Sequence, residues 1–148
     1  MTTLEQIRDV VRRILLRWYN AYSFFVSYAS LDGFTPRGDA RASRNVLDRW
    51  ILSRLHTLIA TTNREMEAYR RYYVEHALLG YIEALTNTYI RFNRRHFWAD
   101  GEAEDKRLAF ETLYEVLLTT AKVMAPFTPF LAEVTYDNLA RTLPGRKA

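Results

Sequence analysis

The sequence predicts an all-α bundle of about five helices. Three observations carry that expectation. Apolar residues recur at helical spacing through most of the chain. Only five glycines and four prolines interrupt 148 residues, and three of the prolines fall after residue 120. Turn-forming pairs gather at a few places and leave long stretches between them uninterrupted. A chain of this length makes about one domain and buries roughly two-thirds of its unfolded surface. With 49% hydrophobic and 26% charged residues it is globular and not disordered. Residues 1–148 are therefore read as a single helical domain, without internal repeats or low-complexity tracts.

The first helix is expected from about Thr3 to Ser30, with Thr3 as its cap and Gln6 completing a capping box. Leu4, Ile7, Val11, Ile14, Trp18, Ala21, Tyr22, Phe25 and Ala29 follow helical spacing, flanked by Arg8 and Arg12 on one side and by Arg13 and Arg17 on the other. Leu31 to Arg44 form a connecting loop, marked by Asp32-Gly33, Thr35-Pro36 and Gly38-Asp39. A second helix starts near Ser43 or Asn45 and reaches about Arg70, with Leu47, Trp50, Ile51, Arg54, Leu55, Leu58 and Ile59 in rhythm and Trp50 expected in the core. The third spans Tyr72 to about Trp98 and stops at Ala99-Asp100-Gly101. The fourth runs from about Glu102 to Met124, with Leu108, Phe110, Leu113, Val116, Leu117 and Val123 facing inward. A last helix, Phe130 to about Arg141, has Pro129 in its first turn, Thr128 as cap and Leu131, Val134, Tyr136 and Leu139 as core candidates; the tail from Pro144 frays. Antiparallel neighbours are the simplest arrangement.

The third helix is two-sided. Counted at about 100° per residue, Val74, Leu78, Tyr81, Ile82, Leu85, Tyr89 and Phe92 share one arc, the width of a core-facing stripe. Asn87, Arg91, Arg94, Arg95 and Trp98 fall on the opposite side. Guanidinium forks bond phosphate oxygens and stack on bases, and an indole is a platform for an unstacked base. A solvated helix end with cations near its C-terminus would account for the same arginines. The net charge of +4 and pI of 9.5 come almost wholly from arginine, since lysine occurs only at Lys106, Lys122 and Lys147. That balance suits phosphate or carboxylate partners.

Other chemistry is missing from the sequence. Without cysteine there are no disulfides, thiolate metal sites or thiol catalysis. No apolar run is long enough to span a bilayer and no signal peptide precedes Thr2, so a cytoplasmic chain without a membrane partner is expected. His56, His76 and His96 lie far apart, none three residues after a glutamate. No Gly-rich phosphate loop occurs, and Ser43 and Ser53 lack the context of an activated nucleophile. No catalytic residues and no metal ligands are assigned.

Four ordered blocks resemble the helical anticodon-binding domain of class I aminoacyl-tRNA synthetases. They are Trp18-Tyr19-Asn20-Ala21-Tyr22-Ser23-Phe24-Phe25, Leu31-Asp32-Gly33-Phe34, Leu47-Asp48-Arg49-Trp50-Ile51-Leu52-Ser53-Arg54-Leu55, and Met124-Ala125-Pro126-Phe127-Thr128-Pro129-Phe130-Leu131-Ala132-Glu133. Asn87 to Trp98 is similar to the isoleucyl-tRNA synthetase pattern Asn-Trp-Tyr-(Val/Ile)-Arg-x-Asn-Arg-Arg-x-Phe-Trp, with Thr88 in place of tryptophan and His96 in place of a frequent arginine. The first departure puts in doubt the packing beside Tyr89; the second lowers the positive charge. The resemblance covers about residues 5 to 140, and the ATP-binding signatures of such enzymes, His-Ile-Gly-His and Lys-Met-Ser-Lys-Ser, do not occur.

The resemblance implies an all-α bundle of the class I aminoacyl-tRNA synthetase anticodon-binding type, excised from an isoleucine–tRNA ligase. The longer enzyme would ligate isoleucine to its tRNA with ATP and Mg, while this stretch holds no cofactor. Its implied partners are the anticodon stem-loop of isoleucine tRNA and the catalytic domain of the same chain. Asn87, Arg91, Asn93, Arg94, Arg95 and Trp98 are the expected RNA-binding residues, with Arg13 and Arg17 as secondary candidates on the same surface. The rival reading is a helical protein-interaction module that docks an acidic partner through its Arg/Trp face, since both residue types anchor protein interfaces.

Overall fold

A computed structural model describes residues 3–98 and 103–141, apart from the side chains of Thr3, Ile7, Val10, Val11, Arg95, His96, Trp98, Ala103 and Arg141. The expected Thr3 capping box, the core positions Ile7 and Val11, the stop at Ala99-Asp100-Gly101 and the C-terminal tail lie outside the described residues. The described residues are helical without a strand: α1 (Thr3–Val10), a π-helical turn (Val11–Leu15), α2 (Leu16–Leu31), a 3₁₀ turn (Ala40–Ala42), α3 (Val46–Glu67), α4 (Arg71–Ala84), a second π-helical turn (Leu85–Ile90), α5 (Arg91–Trp98), α6 (Ala103–Met124) and α7 (Pro129–Arg141). Backbone angles at Leu15, Ala84, Leu85 and Arg91 stay helical, so α1–α2 and α4–α5 are each one continuous rod with an internal π turn.

Boundaries follow local chemistry. Asn45 caps α3 by accepting the Leu47 amide at 2.8 Å. Pro129 opens α7, where its missing N–H leaves nothing unsatisfied. Thr128 behaves differently from expectation: its hydroxyl donates back to the Met124 carbonyl at 3.3 Å instead of capping α7. Gly33 and Gly38 take φ of +63° and +78°, the left-handed conformation their turns need.

α6 is the central element, touching α2, α3, α5, α7 and the 3₁₀ turn. It is buried nearly all round, with Leu108, Phe110, Leu113, Val116, Leu117 and Met124 in the core. Its interior threonines bond along their own helix, Thr112 to the Leu108 carbonyl at 2.8 Å and Thr120 to that of Val116 at 2.6 Å. Phe34 reaches down from the loop into the aromatic cluster of Phe25, Phe110 and Tyr114, its ring centroid 5.7 Å from that of Phe110. The buried Glu111 carboxylate accepts the Arg37 amide at 3.0 Å and that of Gly38 at 2.6 Å. Loop 32–45 is thereby fastened to α6.

The neighbours are not all antiparallel. Arg17 meets Glu83 and Phe24 meets Phe97, so α2 and α4–α5 run the same way. The long loop makes this possible, because it carries the chain from α2 to the far side of the bundle before α3 begins. Trp50 is half-buried at the core margin and Arg54 is exposed; the inner stripe of α3 is Asp48, Ile51, Leu55 and Leu58. On α7 the inner positions are Ala132, Thr135 and Leu139, whereas Val134 is exposed. Thr135 accepts the Trp18 indole N–H at 3.3 Å and the Leu139 carbonyl accepts the Tyr114 hydroxyl at 3.2 Å, which fixes that face against α2 and α6.

Candidate nucleic-acid interface

The π turn at Leu85–Ile90 decides which side chains of α5 face outward. A π turn holds one residue more than an α turn and so delays the phase of everything after it by about 100°. Upstream, Val74, Leu78, Tyr81, Ile82 and Leu85 are buried as expected. Downstream the buried positions are Tyr89, Ile90, Asn93 and Phe97. Phe92, expected in the core, is 67% exposed, and Asn93, expected to contact RNA, is 0% exposed. Both corrections have this one cause.

Three of the expected residues come together on the outer side. Asn87, Arg91 and Arg94 are exposed. Neither arginine forms an ion pair with any described acid. Each lies near an aromatic ring instead, Arg91 5.9 Å from the Phe92 centroid and Arg94 5.8 Å from that of Phe24. Arg95 and Trp98 belong to the same helix, and their side chains lie outside the described residues.

Arg13 and Arg17 reach the same rod one turn before Asn87 but are engaged there. Glu83 Oε1 lies 3.2 Å from Arg13 and 3.4 Å from Arg17, and Asp9 lies 3.4 Å from Arg13. The bonds to Glu83 and Asp9 raise the Arg13 pKa further above its ordinary value. Among the described residues, the face thus carries two guanidiniums clear of carboxylates at α5 and two carboxylate-bound ones beside α4.

Beneath α5 lies a polar network that the sequence pattern did not reveal. Asp48, 1% exposed, accepts from Ser43 Oγ at 2.6 Å, from the Tyr89 hydroxyl at 2.7 Å and from Asn93 Nδ2 at 3.1 Å. Asn93 Oδ1 in turn accepts from Asn45 Nδ2 at 3.4 Å. Burial, reinforced by the adjacent Asp48 charge, pushes the Tyr89 hydroxyl well above its ordinary pKa and keeps it a donor. Thr88 is half-buried, and Tyr89 stays fully buried although threonine stands where the family pattern has tryptophan. A legible signal did exist: Asp48 shares the helical phase of Ile51, Leu55 and Leu58.

Residues 48–147 match the family described as the anticodon-binding domain of tRNA ligase. The chain belongs to that family. Similar proteins include the isoleucine–tRNA ligase of Bdellovibrio bacteriovorus, 61% identical over 95% of this chain and 13% of that protein. The cytoplasmic isoleucine–tRNA ligase of Schizosaccharomyces pombe is 45% identical over 95% of the chain and 14% of its own length. The cytoplasmic mouse enzyme is 41% identical over 91% of the chain and 11% of its own length. This anticodon-binding domain therefore spans about an eighth of the length of the curated relatives it matches. Among its described residues no helix is long and apolar enough to cross a membrane, and no group of three His, Asp or Glu side chains is placed to hold a metal.

Proposed function

We propose that this chain is the tRNA-gripping module of an isoleucine–tRNA ligase and that the outer face of α4–α5 holds the anticodon stem-loop of isoleucine tRNA. The observation that carries the reading is the pair Arg91 and Arg94, exposed, free of described carboxylates and set next to aromatic rings. An unpaired loop offers phosphates to such guanidiniums and splayed bases to guanidinium planes and rings. Asn87 adds an amide for a base edge, one turn before Arg91. Arg95 and Trp98 of the same helix are proposed to contribute a further phosphate contact and a stacking platform. Asn93 is left out, because its amide is spent on Asp48 and Asn45. The longer enzyme would supply ATP, Mg and the catalytic domain for ligation.

The test is a titration of the chain with a synthetic RNA hairpin carrying an isoleucine anticodon, at several salt concentrations. Arg91→Ala with Arg94→Ala is expected to lower affinity and to flatten the plot of log affinity against log salt by about 0.7 for each phosphate no longer neutralised. Unchanged affinity and slope would remove α5 from the RNA footprint. Equal affinity for an unrelated hairpin and for a polyacidic peptide would favour a general acidic-partner module instead.

A further inference from the structure

We propose that Asp48 is a positioning residue for RNA binding: its buried carboxylate fixes the rotation of α5 about its own axis and thereby aims Arg91 and Arg94 outward. The proposal rests on the reading of α5 as the RNA-facing helix. Its geometry is independent of that reading. One carboxylate joins four separate pieces of chain, namely the end of the long loop through Ser43, the π turn through Tyr89, α5 through Asn93 and the N-terminus of α3 on which Asp48 itself sits. The capping residue Asn45 closes the circuit by donating to Asn93 while accepting from Leu47.

A buried carboxylate is tolerated only where donors surround it, and stranding it is far more damaging than losing an apolar neighbour. That makes the rotation of α5 discrete. In an uninterrupted α-helix, position 92 would face inward and would set the Phe92 ring where Asn93 now donates. The π turn and the Asp48–Asn93 bond therefore select the same phase from two directions, one through the backbone and one through a side chain. Arg91 and Arg94 lie on either side of Asn93 and Phe92 in sequence, so any error in that phase moves both guanidiniums together. Arg94 would leave Phe24, the ring it now stands over.

The test compares Asp48→Asn, Asn93→Leu and the milder Tyr89→Phe with the exchanged pair Asp48→Asn plus Asn93→Asp. The exchange keeps a donor facing an acceptor and keeps one buried charge. Binding to the isoleucine-anticodon hairpin is read at a temperature where circular dichroism shows each variant fully folded. A residue that merely stabilises the fold would shift the melting temperature and leave that affinity alone. The expected result is affinity about tenfold weaker, equivalent to ~1.4 kcal/mol, in Asp48→Asn and Asn93→Leu, with a flatter salt slope, and recovery in the exchanged pair. Wild-type affinity and slope in folded Asp48→Asn or Asn93→Leu, with Arg91→Ala/Arg94→Ala weakened in the same titration, would overturn the positioning role and leave the RNA reading standing. If Arg91→Ala/Arg94→Ala also binds like wild type, both fall.

Discussion

Deleting Thr88 is expected to leave the bundle folded, whereas inserting one alanine after Thr88 is expected to unfold it. The asymmetry comes from the π turn. Among the buried positions Leu78, Tyr81, Ile82, Leu85, Tyr89, Ile90, Asn93 and Phe97, the step from Leu85 onward is one residue too long for an α-helix. Removing Thr88 brings Tyr89, Ile90, Asn93 and Phe97 three, four, seven and eleven positions after Leu85. That is the spacing of a regular amphipathic stripe, so the same side chains face inward without a π turn. Thr88 is itself only half-buried and makes little of the core.

Insertion works the other way, rotating α5 by about another 100°. Phe97, packed 5.2 Å from Phe110 and 5.3 Å from Phe24 by ring centroids, would leave the core. A buried ring of that kind contributes about 1.5–3 kcal/mol. Asp48 would lose the donors of Tyr89 and Asn93, at about 1–3 kcal/mol each. The sum is on the order of 5 kcal/mol, comparable with the whole stability of many domains. Urea unfolding followed by circular dichroism reads both changes. A deletion shift of about 1 kcal/mol corresponds to only ~2–4 °C in melting temperature for a chain of this size. Deletion and insertion variants that lose stability equally would refute the phase account. The folded deletion variant is also expected to bind the hairpin as the wild type does, because Arg91 and Arg94 keep their outward phase when the extra residue of the turn is removed.

Two further outcomes follow from the charges. Glu83→Gln should release Arg13 and Arg17 toward solvent and steepen the salt dependence of hairpin binding, by up to about 0.7 for each additional phosphate neutralised; an unchanged slope would place both arginines outside the footprint. In acid, Asp39 is the group to follow. Its bond to Arg107 lowers its carboxyl pKa below the ordinary 3.8, so the stability it contributes is present above that value and is lost as pH falls through the depressed one. Asp39→Asn should therefore be less stable than wild type at neutral pH by a margin that closes in strong acid. A margin that persists at low pH, measured by urea midpoints, would assign the loss to something other than the Asp39 charge.

The helices were legible because their ends carry chemistry of their own. Asn45 can accept an amide whatever surrounds it, Pro129 suits a first turn, and glycines at 33 and 38 permit left-handed turns. Long apolar stripes located Trp18, Phe25, Ile51, Leu55, Leu113 and Leu117 correctly in the core. The direction of α2 relative to α4–α5 was not legible, since a loop of given length permits either side of the bundle and tertiary packing chooses. Val134 faces out against expectation for a similar reason: α7 docks through a threonine that bonds Trp18, and an apolar count gives such a residue no weight.

The candidate site shows where periodicity stops being informative. From the sequence alone, Asn87 and Asn93 are assigned the same RNA-contacting role, yet one is exposed and the other is sealed beneath the helix. No local composition marks the π turn that holds Asn87 and precedes Asn93, because it needs no glycine, proline or special side chain. Only the partner across the bundle makes the two asparagines different. Asp48 needs a donor at one rotation of α5, and the apolar phase of Leu78, Tyr81 and Leu85 demands another unless one residue is absorbed in between. The extra residue in the π turn reconciles those demands. Its consequence is felt at the surface, where Arg91 and Arg94 stand clear of described carboxylates while the amide beside them does not. An acid lying in phase with an apolar stripe is therefore a sign that a neighbouring helix must present a polar side chain inward, and that the outward residues of that neighbour have to be counted from the buried bond.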